Sequence, residues 1–118
     1  MQGLFLRGWE KSMDTNYKII LTDIAKEDLE EIYEYISEHL LEKAAANRLM
    51  NKIEEDILRL EQNPYSCVEV HIKPHNDVYR KLTIENYVAL YEIDEMYKNV
   101  IIYRIIYGKK DYLMLIDD

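Results

Sequence analysis

The sequence predicts an α+β domain in which an N-terminal strand precedes an antiparallel pair of helices, and the helices pack on a C-terminal antiparallel β-meander. Three observations lead to this prediction. Residues 78–112 are rich in β-branched and aromatic side chains and divide into three strand-like runs. Residues 22–61 carry two successive helical patterns. A short apolar run at residues 17–21 precedes both, so the predicted order is β-α-α-β-β-β.

The first two elements are a strand and a helix joined at Thr22. The run from Tyr17 to Leu21 is aromatic and β-branched, as is typical of a short strand. Thr22 supplies a side-chain oxygen suited to a helix N-cap. Apolar residues then recur with helical spacing at Ala25, Leu29, Ile32, Ile36 and Leu40. Glutamates take the other sides, and we interpret them as a solvated face rather than a metal site, because no histidine is suitably spaced among them.

A second helix is predicted from about Glu42 to Glu61, with Pro64 ending the segment. One face of it carries the apolar residues Ala45, Leu49, Ile53, Ile57 and Leu60. The short link at His39 to Glu42 makes the two helices an antiparallel hairpin. Each apolar face must be covered, and the sheet is the candidate that covers them.

The stretch from Tyr65 to Asp77 has the weakest pattern. The alternation at residues 68–72 indicates a further strand or an extended edge. His71 and His75 are four residues apart, which raises the alternative of a metal site. Cys67 is the only thiol, so we interpret these histidines as exposed loop residues and predict neither a metal nor a cofactor.

The meander is predicted as three strands: Val78–Ile84, Tyr87–Asp94 and Val100–Tyr107. Glu85-Asn86 is expected to form a tight turn in which Asn86 tolerates a positive φ. A longer loop at residues 95–99 joins the second strand to the third. The third strand is apolar on both faces, which places it inside the sheet. Leu113–Ile116 is expected to pack back as a short strand or turn.

Arg104 interrupts the most apolar strand, and two interpretations remain open. An arginine inside a sheet requires a partner or a functional cleft. Alternatively, its side chain extends to the rim of the sheet and pairs with Glu92 or Asp94.

Composition restricts the classes of function. With 118 residues the chain is long enough for one domain, which we assign to residues 14–118 after a disordered extension at 1–13. The single cysteine excludes an internal disulfide and fits a cytoplasmic protein. No apolar run approaches the length of a membrane helix. The net charge of −8 disfavours general binding to nucleic acids, because phosphate contacts depend on clustered Lys and Arg.

Three stretches carry a resemblance to a known family. The first is Tyr17–Thr22 followed by Ala25, Asp28 and Leu29, and the second is a helix that ends at Leu60 with Pro64 beyond it. The third and most specific runs from Tyr79-Arg80-Lys81-Leu82 through Tyr87 and Tyr91 to Ile105–Tyr112. Over about residues 15–116, the chain resembles the RelE/ParE superfamily of bacterial type II toxins.

This resemblance implies a cytoplasmic, cofactor-free toxin that inhibits growth, stabilises a plasmid and is neutralised by a cognate antitoxin. ParE-like members inhibit DNA gyrase. RelE-like members cleave mRNA on the ribosome without a metal, using Lys, Arg and sometimes Tyr or His. The implied partners are therefore the antitoxin and either gyrase or the ribosome with its mRNA. No membrane partner is expected.

The candidate site residues decide between these branches. Cleavage of RNA through its 2′-hydroxyl needs a base, an acid and cations that stabilise the phosphorane. The candidates for these roles are Arg80, Lys81, Arg104, Lys109, Lys110 and Tyr112. Each of them taken alone is more simply explained as a surface or pairing residue of a domain that is not toxic. Their clustering along the meander is what marks a site.

The set is incomplete for a ribonuclease. RelE-like members have a basic residue directly after the tyrosine that corresponds to Tyr87, and this chain has Val88 there. Arg80 corresponds to the first strand lysine of the family, but Leu82 stands at the second, and Tyr112 comes earlier than the C-terminal tyrosine of the ribonucleases. The sequence therefore favours a ParE-like or degraded member over a ribosome-dependent ribonuclease.

Overall fold

The helices and strands follow the predicted order. The computed structural model describes residues 17–72 and 77–108. Within these ranges the strands are β1 (Lys18–Leu21), β2 (Val68–Ile72), β3 (Asp77–Ile84), β4 (Tyr87–Asp94) and β5 (Asn99–Tyr107). The helices are α1 (Asp23–Glu34) and α2 (Lys43–Leu58). Short helical turns lie at Tyr35–His39, Arg59–Glu61 and Pro64–Ser66.

Helix α1 begins as predicted and ends differently. Thr22 has an extended backbone, and its Oγ1 accepts a hydrogen bond from the Ala25 N–H at 3.1 Å. After Glu34 the chain continues as a π-helical turn in which the Leu40 N–H donates to the Tyr35 carbonyl. The wider turn moves the next residue off the apolar stripe. Leu40 is consequently 53% exposed, so its predicted place on the buried face is wrong.

Helix α2 supplies the centre of the core. Its apolar face is fully buried at Met50, Ile53 and Ile57. Near the start of the helix Ala46 is buried, whereas Ala45, predicted for this face, is only half-buried. The same cluster includes Tyr91 and Ile102 and many of their sheet neighbours. The predicted packing of the helical hairpin on one face of the sheet is therefore confirmed.

The sheet is mixed rather than purely antiparallel. The strand order is β1-β5-β4-β3-β2, and β1 pairs with the first half of β5 in parallel. The other pairs are antiparallel, as predicted for the meander. Strand β2 confirms the further strand indicated at residues 68–72. Strand β5 lies inside the sheet as expected, but its pairing with β1 ends at Ile102.

The tight turn between β3 and β4 differs in detail from the prediction. Glu85 has the positive φ, of 53°, and Asn86 does not. Asn86 instead accepts a hydrogen bond from the Gly108 N–H through its carbonyl at 2.7 Å. Lys98, in the loop before β5, also has a positive φ, of 56°. Both turns therefore place a charged residue where glycine is commonly found.

Some predictions lie outside the described residues. These are the disordered extension at residues 1–13, the loop histidine His75 and the element at Leu113–Ile116. In the described ranges, neither α1 nor α2 nor any shorter helical turn has the length and apolar character needed to span a membrane.

Candidate functional site

An ion pair joins α1 to the second half of β5. Arg104 Nε donates to Asp28 Oδ2 at 2.8 Å, and Arg104 Nη2 donates to Asp28 Oδ1 at 3.1 Å. The Asp28 side chain is 9% exposed and that of Arg104 is 20% exposed. The hydrogen bond to Asp28 raises the pKa of Arg104 above its usual range. Arg104 therefore pairs with a residue 76 positions away in the sequence. Of the two interpretations, the one that pairs it with Glu92 or Asp94 is wrong.

The same helix satisfies backbone groups along the outer edge of β5. Asp28 Oδ2 also accepts the Ile105 N–H at 3.0 Å. The Thr22 N–H donates to the Ile102 carbonyl, and the Thr22 hydroxyl donates to the Tyr103 carbonyl, both at 3.0 Å. A strand edge with unpaired backbone groups is a template for further pairing. Thr22 and Asp28 provide hydrogen-bond partners for the Ile102 and Tyr103 carbonyls and the Ile105 N–H, so these groups are not available to a further strand.

A groove of about 830 Å³ opens beside this ion pair, between the end of α1 and the end of β5. Ile105 and Ile106 of β5 line it, as do Tyr35 and His39 of the π-helical turn. The lining residues are Asp28, Glu31, Ile32, Glu34, Tyr35, His39, Tyr87, Arg104, Ile105, Ile106 and Tyr107. The volume is that of a typical small-ligand or peptide site.

Two aromatic pairs line the groove. Tyr35 and His39 stack with ring centroids 5.4 Å apart, and the π-helical turn between them sets their spacing. Tyr87 and Tyr107 meet edge to face at 5.8 Å. Burial, followed by the neighbouring Tyr107 and Tyr35, raises the pKa of Tyr87, so its hydroxyl stays neutral at physiological pH. These pairs thus offer ring faces and hydroxyl groups to the groove.

The groove is acidic. Among the residues that the structure describes, three carboxylates line it, from Asp28, Glu31 and Glu34, together with the guanidinium of Arg104. Asp28 and Arg104 neutralise each other in the ion pair. Glu31 and Glu34 are exposed. The described side chains of the groove therefore favour cations over phosphate groups.

Arg80 lies at a second junction, on the face of the sheet that carries the helices. Its Nη1 donates to the Cys67 carbonyl at 2.6 Å and to the Tyr65 carbonyl at 3.3 Å, and its Nη2 donates to Glu69 at 3.1 Å. Its Cζ lies 5.0 Å from the centre of the Tyr65 ring. The neighbouring Tyr91 hydroxyl donates to the Pro64 carbonyl at 2.6 Å. Both side chains tie the segment after α2 to the sheet.

Glu95 forms a third junction, in the loop between β4 and β5. Its carboxylate accepts hydrogen bonds from the hydroxyls of Tyr17 and Tyr65 and from the Lys98 ammonium. The Lys98 hydrogen bond, then those of Tyr17 and Tyr65, lower the pKa of Glu95 from its ordinary 4.5 to about 2. The bond to Glu95 raises the pKa of Tyr65 to about 12. At neutral pH the ionised Glu95 therefore joins the loop before β5 to the segments that carry Tyr17 and Tyr65.

These shifts predict an acid-sensitive loop. A carboxylate whose pKa is lowered on folding contributes stability above its unfolded pKa and loses it as pH falls through the folded value. We expect the stability difference between the native protein and Glu95→Gln to vanish between pH 4.5 and about 2. An NMR titration of the Glu95 carboxyl checks this, with a midpoint near 2 in the native protein. Lys98→Gln should raise that midpoint; a native midpoint at 4.5 would contradict the cluster.

The described candidate residues occupy different parts of the sheet. Lys81, Leu90 and Arg104 are directly paired across three strands, so Lys81 and Arg104 share one face about 10 Å apart. Arg80 pairs with Tyr91 and points to the opposite face. Lys109, Lys110 and Tyr112 lie outside the described residues. The catalytic role of all six stays a prediction.

Val88 occupies a buried apolar position. It is 5% exposed and clusters with Leu90 and Ile106. The position directly after Tyr87 is therefore filled by a side chain that has no acid, base or cation and contacts other apolar groups. In residues 17–72 and 77–108, no group of three or more His, Cys, Asp or Glu side chains has the arrangement of a metal site.

Sequence reasoning missed most of the groove. Asp28 was available as a signal, because it lies three residues after Ala25 and beside Leu29 on an otherwise apolar stripe. An acid in such a position requires a buried partner. Tyr35, His39 and Tyr107 gave no comparable signal, since their convergence depends on the π-helical turn and on strand order.

Comparisons with known proteins bear on this geometry. Residues 19–112 match the family model of the ParE toxin of the type II toxin–antitoxin system parDE. A chain of the chromosomal ParDE toxin–antitoxin system from P. aeruginosa is similar in structure, with a TM-score of 0.65 and 22% identity, covering 80% of this chain and 98% of that one. A search among curated proteins found no significant match.

A second structure is also similar. It comes from the toxin–antitoxin complex RelBE2 of Mycobacterium tuberculosis, with a TM-score of 0.51 and 20% identity, covering 80% of this chain and 93% of that chain. Both structures show the same fold of strand, two helices and meander. The family match spans most of the chain, including α1, the groove and β5. The chain therefore belongs to the ParE toxin family of type II toxin–antitoxin systems.

Proposed function

We propose that this toxin acts by binding a protein target, DNA gyrase or another protein, rather than by cleaving RNA, and that a cognate antitoxin holds it inactive. The family match supports the pairing with an antitoxin. The choice of a protein target rests on the contacts that already hold the two arginines. Arg80 is held by Glu69 and two carbonyls, and Arg104 is held by Asp28.

An arginine already paired with a carboxylate stabilises a developing phosphorane poorly. Several of its N–H donors are occupied, and the carboxylate cancels its charge at short range. Val88 adds a buried apolar side chain where the ribonucleases have a base. Tyrosines and half-buried apolar groups are instead typical anchors of protein interfaces. The described surface therefore supports binding over catalysis.

Supercoiling of relaxed plasmid by purified gyrase tests the target. We expect inhibition by the purified full chain and none by an equal amount of an unrelated acidic protein. Relief of inhibition by the antitoxin should follow its molar ratio to the toxin. Full supercoiling in the presence of a large excess of toxin would reject gyrase as the target.

The alternative is a RelE-like, metal-independent endoribonuclease. One observation favours it: Lys81 and Arg104 lie in the same row of one sheet face. Primer extension on ribosome-bound mRNA would then show cuts in phase with codons, and Lys81→Ala and Lys110→Ala would abolish them. Intact mRNA, or cuts that both substitutions leave unchanged, would reject this alternative.

A further inference from the structure

We propose that residues 109–118 of this chain fold back over the face of the sheet opposite α1 and α2 and cover an apolar patch formed by Val88, Leu90 and Ile106. The inference goes beyond the proposed function and does not depend on it, because it concerns a contact within the chain. It assigns an occupant to a surface that the described helices leave open.

The apolar patch lies on the face of the sheet that points away from the helices. Successive side chains of a strand alternate between the two faces of a sheet. Ala89 and Tyr91 of β4 belong to the core cluster that the helices join. The alternate residues Val88 and Leu90 form a separate cluster with Ile106 of β5. Among the described residues neither helix contributes to this second cluster, so its burial needs a different cover.

The burial is confined to the patch. Val88 is 5% exposed, Leu90 0% and Ile106 6%. The same face is open on either side of them. Val68 of β2 lies in the same row as Leu90 and is 61% exposed, and Ile20 of β1 is 36% exposed. The cover therefore lies over β4 and the second half of β5 and does not extend across the whole face.

Neighbouring side chains of the sheet explain only part of this burial. Lys81 and Arg104 flank Leu90, and their aliphatic stems can shield it. Val88 is paired with Thr83, whose side chain is short and itself exposed. Thr83 cannot reach over Val88, so this end of the patch requires atoms from outside the described strands.

The chain leaves β5 directly beside the patch. Gly108 follows the strand, and its N–H donates to the Asn86 carbonyl at 2.7 Å. A Cβ atom on Gly108 would lie 3.2 Å from Val88 Cγ2, so the backbone at this point already passes against the patch. Residues 109–118 span up to about 33–36 Å when extended. Leu90 lies only about 7 Å beyond Val88 along β4, so the segment is long enough to cover both.

The composition of the segment suits the patch. Residues 113–116 are Leu-Met-Leu-Ile, an uninterrupted apolar run, and Asp117 and Asp118 follow it. Apolar side chains of such a run gain by leaving water against another apolar surface. The two carboxylates complement the basic side chains of Lys81 and Arg104, which lie on either side of the patch.

Other occupants are less well placed. The Tyr17 N–H donates to the Glu61 carbonyl, and the Tyr17 hydroxyl donates to Glu95. Glu95 follows β4 at the end remote from Val88, and the Tyr17 ring packs against the helix-facing core. The chain before Tyr17 therefore starts from the far end of the opposite face. A second copy of the protein is disfavoured, because each copy carries a net charge of −8.

The cover has a consequence for the basic row of the sheet. Lys81 and Arg104 lie on either side of Leu90. A segment over Leu90 passes between these two side chains, so a single phosphate chain contacts both only after the segment has left. The arrangement therefore weakens the observation that favours RNA cleavage.

Photo-crosslinking tests the contact in the otherwise native full chain. Leu115 is replaced by p-benzoylphenylalanine, and the crosslinked peptides are identified by mass spectrometry after illumination. We expect crosslinks within one chain to the peptides that contain Val88 or Ile106. The same replacement at Met96, which is 81% exposed in the loop before β5, should give no crosslink to these peptides.

A polar substitution in the segment provides the second arm. Leu113→Asp combined with Leu115→Asp should shift the methyl NMR signals of Val88, Leu90 and Ile106. Fluorescence of the dye ANS should rise, because the substitution uncovers apolar surface.

The specificity of this effect is checked in the core and in a matched control. The methyl signals of Ile53 and Ile57, in the helix-facing core, should keep their positions, which shows that the fold persists. The control is Leu41→Asp combined with Met96→Asp, at apolar positions that are 80% and 81% exposed. It should leave the signals of the patch unchanged.

Two results would overturn the proposal. The first is crosslinking from position 115 only to another copy, to residues before Tyr17 or to the helix-facing side of the sheet. The second is unchanged signals of the patch in the Leu113→Asp, Leu115→Asp variant. If that variant loses the core signals as well, the crosslinks alone decide. Neither arm uses gyrase or an antitoxin, so a failure of the proposed function is distinguished from a failure of this inference.

Discussion

Asp28→Ala is expected to lower the free energy of unfolding by about 3–5 kcal/mol, because it leaves a largely buried arginine without its counter-ion. Asp28 makes two contacts with Arg104 and a third with the Ile105 N–H. All three are lost together, and the Ile105 N–H loses its acceptor at the strand edge. Urea denaturation followed by circular dichroism measures the change.

Two further variants show whether the loss of stability in Asp28→Ala comes from the uncompensated charge of Arg104. Asp28→Ala combined with Arg104→Met should be less destabilised than Asp28→Ala alone, because an apolar replacement of both partners leaves no uncompensated charge. Glu27→Ala, at an exposed neighbouring position of α1, should change stability by no more than about 0.5 kcal/mol. A change of that small size for Asp28→Ala would show that the ion pair does not hold α1 on β5.

Tyr91→Ala is expected to cost about 3–5 kcal/mol, the range for removing a large aromatic side chain from a core. Tyr91 is fully buried, and its ring packs in the cluster that joins the helices to the sheet. Its hydroxyl donates to the Pro64 carbonyl in the turn after α2. The substitution therefore removes both the packing of the ring and the tie to that turn.

Tyr91→Phe measures the contribution of the hydroxyl group alone. It keeps the ring and leaves the Pro64 carbonyl without its donor, which should cost about 1–3 kcal/mol. Tyr97→Ala is the control, since Tyr97 is 72% exposed, and its effect should stay within about 0.5 kcal/mol. Equal stabilities of Tyr91→Phe and the native chain in urea denaturation would show that the hydroxyl does not fasten the turn.

Local patterns in the sequence determined most of the fold. The periodicities of α1 and α2 and the alternation of β3 to β5 are properties of single segments, and their bounds followed from caps and turn residues. The parallel pairing of β1 with β5 could not be predicted in this way. It joins Lys18 to Asn99, and it depends on the order of the whole sheet rather than on either segment.

Less of the candidate site than of the fold could be predicted from the sequence. That Arg104 needs a partner was one of the interpretations left open by the sequence, but the partner that it has lies 76 residues away on a helix and not on the adjacent strand. The π-helical turn that positions Tyr35 and His39 has no signature in the apolar spacing before it. Arg80 and Lys81 are adjacent in sequence and were grouped together, but a strand places them on opposite faces of the sheet.

Growth of a bacterial culture after induction of the full chain alone tests the central claim most directly. The account predicts arrest soon after induction, no arrest from the same transcript with an early stop codon, and recovery when a cognate antitoxin is expressed together with it. Normal growth of cells in which the folded protein accumulates would contradict the assignment of this chain as an active toxin.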